Sequence, residues 1–186
     1  MIWLYWLISY VMGNFMTAYF VGKVYNVNLQ EERSKNLGAR NAGSVIGKGA
    51  FIWTFLGDSL KGVFIVVLGR LMGFEEWVIV GGASFVILGH LYPLWLRFNG
   101  GKGVATFIGV GLVLSPKLFL FIILGTAITA VFTRSLTLGM LGGFVFYISA
   151  ILIWGQLQTY IFLLWAIGFM LVKHRSNIQE SFGRKK

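Results

Sequence analysis

Cysteine is missing from the 186 residues, and its absence removes a disulfide framework, a thiolate metal site and a cysteine nucleophile together. Acidic residues and histidine are nearly as scarce, 6 and 2 respectively. A zinc or di-iron centre draws several such ligands into one place, so no metal and no other cofactor is expected. Charge of either sign is thin: Asp, Glu, Lys and Arg make up 12% of the chain, too little to coat a soluble domain of this length. No basic cluster precedes the first apolar run, so no cleaved signal peptide is expected. Repeats and low-complexity tracts are lacking too, which predicts a single membrane-embedded domain over residues 1–186.

Hydrophobic residues, by contrast, reach 57% and the mean hydropathy is +0.78, so most of the outer surface faces lipid. Seven apolar stretches are predicted to span: residues 2–22, 50–71, 77–95, 104–114, 118–132, 138–153 and 159–172, with Ser115, Pro116 and Lys117 forming a turn between the fourth and fifth. Several fall short of the ~20 residues that cross ~30 Å of hydrocarbon, which implies local thinning or re-entrant pieces. The fourth would reach only ~16 Å as a helix, and one long span over 104–132 is the alternative.

The net charge of +10 fits nucleic acid, anionic lipid or anionic substrates, and its placement separates them. With the N-terminus outside, Lys23, Arg33, Lys35, Arg40, Lys48, Arg97, Lys102, Arg134, Lys173, Arg175, Arg184, Lys185 and Lys186 fall on one side, whereas only Arg70 and Lys117 fall on the other. The basic side of a membrane protein is cytoplasmic. The expectation is therefore an all-α integral membrane protein of the bacterial inner membrane. Seven transmembrane helices, an outside N-terminus and a cytoplasmic C-terminus are predicted, with membrane lipids and no nucleic acid as partners and a monomer as the unit.

Three polar segments share the basic side: SKNLGARNAGSVIGK at 34–48, GHLYPLWLRFNGGKGVAT at 89–106 and KHRSNI at 173–178. In the first, Ser34, Asn36, Arg40, Asn41 and Ser44 stand among small residues and offer donors without bulk, a surface suited to anionic oxygens. An ordinary solvated loop has the same composition. In the second, Lys102 is flanked by Gly100, Gly101 and Gly103, which let a ligand reach the backbone, and phosphate is the natural guest; a flexible turn before a helix is the plainer interpretation. Leu96 and Gly103 stand where a Walker A loop requires glycine and Ser or Thr, so nucleotide binding loses its support.

His90 suits either a substrate contact or capping of neighbouring carbonyls, and His174 with Arg175 and Asn177 suits either a ligand or a tail on anionic head groups. Asp58 and Lys61 lie three apart on one helical face, where they neutralise each other; ionisable groups at membrane depth tend to be functional, although a structural ion pair is the rival. No HxxxxD pair and no GxSxG elbow occur, which removes two common acyl-transfer arrangements. A small anion transporter is the rival class, but repeats of the kind such folds carry are not visible.

These motifs together resemble the bacterial membrane acyltransferases that use acyl phosphate and glycerol 3-phosphate (PlsY type). The likeness covers nearly the whole chain: small residues around Gly13 and Gly22, SKNLGARNAG, GDSLKG at 57–62, GHLYPLWLRFNGGKGVAT, TRSLTLG at 133–139 and KHRSNI. It implies a cytoplasmic-side groove in which an acyl group passes from acyl phosphate to the sn-1 hydroxyl of glycerol 3-phosphate, giving lysophosphatidic acid without a covalent acyl-enzyme. By this resemblance Ser34, Asn36, Lys102 and His174 are catalytic, and Gly38, Arg40, Asn41, Asp58, Lys61, His90, Gly100, Gly101, Gly103, Thr106, Thr137 and Asn177 bind substrate. Three places depart from the family pattern: Lys35 stands for the usual Gly, Ser44 for Arg, and Arg184, Lys185 and Lys186 for a Gly-x-Glu. They leave a non-catalytic, precursor-binding paralogue as a further alternative.

Overall fold

The computed structural model describes residues 1–183; Arg184, Lys185 and Lys186, counted above, lie outside them. The described chain is all helical: α1 Ile2–Gly13, α2 Thr17–Val24, α3 Ala39–Val45, α4 Lys48–Leu71, α5 Glu76–Leu91, α6 Val104–Leu114, α7 Pro116–Thr133, α8 Leu136–Ile153 and α9 Leu157–Gly183, with a 3-10 turn at Leu94–Leu96. Five segments are long and apolar enough to cross a membrane: Lys48–Leu71, Glu76–Leu96, Pro116–Thr133, Leu136–Ile153 and Leu157–Gly183. Of these, Glu76–Leu96 is 72% buried against 17–39% for the others, so α5 is the central post and the rest turn apolar flanks outward. Phe132 (83%), Leu71 and Ile153 are among the large side chains left exposed, as lipid-facing residues are in this fold class.

Close backbone approach through glycine sets the helix crossings. A Cβ on Gly13 would lie 2.3 Å from the Val86 carbonyl oxygen and one on Gly89 2.2 Å from that of Tyr10, so α1 and α5 meet backbone to backbone. Gly62 and Gly109 do the same for α4 and α6, facing the Thr106 and Ser59 carbonyls at 2.5 and 2.0 Å.

Two sequence expectations meet the structure at helix ends. Ser115 caps α7 by accepting from the Leu118 amide at 3.4 Å with Pro116 in the first turn, a start signal that residue type predicts. The chain folds back there: a Cβ on Gly111 would sit 2.5 Å from the Phe119 ring, so residues 104–132 are two helices and not one long span. The run 2–22, expected to be one helix, is instead broken at Asn14–Met16 into α1 and α2. Three successive carbonyls at the break leave the helical ladder and find side-chain donors. Lys61 Nζ reaches Gly13 O at 3.2 Å and Phe15 O at 2.8 Å, and Trp95 Nε1 reaches Asn14 O at 2.9 Å. Asn14 in turn accepts the Leu94 amide on Oδ1 at 2.7 Å, which ties the break to the 3-10 turn after α5.

Candidate active site

Three polar segments far apart in sequence converge at one end of the bundle. The first is held by Asn41, buried at the start of α3: its Nδ2 donates to the carbonyls of Leu29 (3.0 Å) and Glu32 (3.3 Å). Its Oδ1 accepts from the Ser34 amide (3.2 Å) and hydroxyl (2.9 Å). Asn41 therefore shapes the turn, and Ser34 and Arg40 remain exposed upon it while Asn36 is half-buried. Gly38, extended at φ −145°, caps α3 through its carbonyl, which accepts from the Asn41 and Ala42 amides at 3.1 Å. A side chain on Gly38 would lie 2.8 Å from Asn36 Nδ2.

The second segment follows α5. Gly101 donates its amide to His90 O at 3.0 Å, and Gly103, at φ +81°, takes the left-handed conformation that starts α6, where glycine carries no Cβ penalty. Lys102, half-buried between them, donates through Nζ to Asn177 Oδ1 on α9. Burial pushes the Lys102 ammonium below the usual lysine range; Glu180 opposes that shift and Arg40 adds to it. Those influences place Arg40, Glu180 and Lys102 within one electrostatic neighbourhood. His174, one turn before Asn177 on α9, donates from Nδ1 to Met170 O at 2.8 Å, a bond that leaves Nε2 as its free nitrogen.

Beneath this end, Asp58, Lys61 and His90 form a closed group. Lys61 Nζ lies 3.1 Å from Asp58 Oδ1 and 2.8 Å from His90 Nδ1, and His90 Nδ1 lies 3.6 Å from Asp58 Oδ1. Their exposures are 1%, 4% and 2%. Thr106 is sealed as well, its hydroxyl without a partner among the described residues. These four were expected to touch substrate; the glycine-mediated crossings of α4, α5 and α6 draw them inward, where all four are buried. Thr137 is half-buried in the first turn of α8. Its segment reaches the site through Ser135, whose hydroxyl meets Ser181 Oγ at 3.2 Å, and Ser181 donates to Asn177 O at 2.8 Å.

Sequence reasoning missed Glu180, Asn14 and Ser135. A carboxamide inside an apolar run was the available signal for Asn14. Ser44, where the family pattern has arginine, donates to Asn41 O at 2.9 Å. Lys35, where the pattern has glycine, adopts φ +54°, a conformation that glycine takes at lower cost. No group of three or more metal-binding side chains occurs among the described residues.

An all-helical integral membrane fold whose polar end gathers a half-buried lysine, an arginine and asparagines defines a membrane protein with a cationic polar end. Within that class, the chain belongs to the glycerol-3-phosphate acyltransferase family, whose model matches residues 3–183, and it is an acyltransferase. A glycerol-3-phosphate acyltransferase of Rubrobacter xylanophilus is 37% identical over 173 residues, covering 92% of this chain and 86% of the relative. One from Thermoanaerobacter sp. is 36% identical over 177 residues, covering 94% and 88%. Among solved structures, PlsY, an integral membrane glycerol 3-phosphate acyltransferase, in its glycerol 3-phosphate form superposes with a TM-score of 0.88 at 25% identity over 100% of this chain and 94% of that one. Its lysophosphatidic acid form gives 0.85 at 24%, over 100% and 93%, which bears on the fold.

Proposed function

We propose that this chain transfers a fatty acyl group from acyl phosphate to the sn-1 hydroxyl of glycerol 3-phosphate, releasing lysophosphatidic acid and inorganic phosphate in the first step of phospholipid synthesis. The observation that carries it is the hydrogen bond from Lys102 to Asn177, one turn from His174 on α9, with the turn that carries Arg40 reaching the glycine loop at Leu37. Four groups suited to phosphate thus come from three segments.

Both substrates carry phosphate, and acyl phosphate brings its own leaving group, so the work left to the protein is neutralising charge and aligning the reactants. Ser34, Asn36 and Arg40 form one phosphate site on the turn that Gly38 and Asn41 shape. Lys102 with Gly100, Gly101 and Gly103 cradles phosphate, and His174 and Asn177 close the groove. The glycerol hydroxyl oxygen attacks the acyl carbonyl carbon, the bond from that carbon to the phosphate oxygen breaks, and the hydroxyl proton leaves on the departing phosphate. That route requires no strong protein base. Thr137 lies at the edge of the groove.

The unit is one domain and a monomer in the bacterial inner membrane. Its N-terminus is outside, its C-terminus cytoplasmic, and its site is on the cytoplasmic side. Seven crossings follow if α1 with α2 makes the first and α6 a short one beside the five long helices. The chain is tested in lipid with acyl phosphate. Inorganic phosphate release that requires glycerol 3-phosphate is expected, and Lys102→Ala is expected to lower kcat/KM about 100-fold or more. Release independent of glycerol 3-phosphate, or an unaffected Lys102→Ala, removes the proposal.

A further inference from the structure

The buried group of Asp58, Lys61 and His90 has no account in acyl transfer itself, and stability does not supply one. An ion pair at membrane depth is expensive, and a buried pair rarely outperforms apolar packing of the same volume. Asp58 gains no compensation elsewhere, for neither of its oxygens has a hydrogen bond among the described residues beyond the ionic contact with Lys61 and His90.

What the group does hold is a position. Lys61 is fixed on four sides, by Asp58, by His90 and by the Gly13 and Phe15 carbonyls at the α1–α2 break. An ammonium only donates, so His90 Nδ1 accepts and its ring proton sits on Nε2. That opposite edge of the ring stands where two polar segments meet. A Cβ on Gly101 would lie 2.1 Å from His90 Nε2 and 2.6 Å from the Leu37 carbonyl oxygen, and one on Gly100 would lie 2.1 Å from His90 O. His90 thus touches the glycine loop by ring and by backbone, at the point where the turn carrying Asn36 and Gly38 arrives.

We infer that Asp58, Lys61 and His90 are positioning residues that set the separation between the turn at residues 37–38 and the loop at residues 100–103. Through it they set the width of the anion pocket between Arg40 and Lys102. None of the three touches substrate. The charge on Asp58 keeps Lys61 in place, Lys61 fixes the plane of the His90 ring, and the ring acts as a spacer under Gly101. Neutralising Asp58 frees Lys61 to move away from Nδ1, and removing the imidazole lets the loop sink toward α5.

The inference rests on the acyl transfer proposed above, and wild-type turnover with both substrates tests that first and separately. In active protein, Asp58→Asn and His90→Leu are expected to raise the KM for glycerol 3-phosphate about tenfold or more, as misplaced binding groups do. His90→Asn, which keeps an acceptor toward Lys61 but lacks the ring, is expected to raise KM as His90→Leu does, and a KM within about threefold of wild type would show that the ring is not the spacer. Tyr5→Phe, which removes the bond to the Ile65 carbonyl on α4, is the control for general destabilisation. It should lower the thermal midpoint and leave KM within about twofold.

If Asp58→Asn and His90→Leu fold and keep the wild-type KM, the inference is wrong. Gly101→Ala probes the same contact from the loop: its Cβ would lie 2.1 Å from His90 Nε2 and 2.6 Å from the Leu37 carbonyl oxygen, so the loop must shift and a raised KM in folded protein is expected. A folded Gly101→Ala with an unchanged KM overturns the inference.

Discussion

Lys102 is partly withdrawn from water beside Arg40, and its ammonium titrates below the ordinary range for that reason. A phosphate dianion binds the charged form and pulls that titration back up. Once glycerol 3-phosphate is dianionic, its affinity should therefore be full below the free-state value of Lys102 and fall as pH rises through it. The loss begins below the ordinary lysine range, and calorimetry carried from neutral pH up into that range would record it. Lys102→Arg, whose charge persists, should flatten that dependence, and an equally steep slope in the variant would assign it to another group. Lys35 is a second case of a residue at odds with its backbone: at φ +54°, Lys35→Gly relieves left-handed strain of about 1–2 kcal/mol and loses part of it to chain entropy. A net gain of about 0.5–1 kcal/mol in a denaturation series is expected. The importance of Lys102 was legible from its glycine neighbours, but its partner was not, because Asn177 stands 75 residues away and no local pattern joins the two.

At the scale of elements, strong apolar runs announced α4, α7 and α8 nearly to their ends, and Ser115 with Pro116 marked the reversal before α7. The break between α1 and α2 was illegible for a specific reason. Residues 2–22 hold no proline, and the donors that replace the ladder there, Lys61 and Trp95, come from other helices. Ser135 caps α8 by accepting from Leu138 N at 3.4 Å and also reaches Ser181 on α9. Ser135→Ala should cost about 1 kcal/mol of stability, seen as a lowered thermal midpoint, whereas an unchanged midpoint would leave the cap without weight. Gly89→Leu is the severe case, because α1 and α5 touch through backbone at that point. Loss of folded protein in a detergent size-exclusion profile is the expected result.

For the whole molecule, hydropathy and charge bias identified a helical membrane protein, while the burial of Asp58, His90 and Thr106 depended on how α4, α5 and α6 cross, which no single segment encodes. Sidedness is open to direct measurement. Cysteines introduced singly at Arg40, Lys117 and Arg175 should divide so that a membrane-impermeant reagent reaches the first and third from one face and the second from the opposite one. If Arg40 and Arg175 label from opposite faces, the shared pocket fails with them. Lys61 carries a consequence for biogenesis. Carbonyls without donors cost several kcal/mol each in hydrocarbon, and the donor for Gly13 and Phe15 is synthesised more than forty residues after them. α1 and α2 are therefore expected to linger at the insertion machinery until α4 emerges. Stalled nascent chains ending before Lys61 should crosslink there longer than chains that include it.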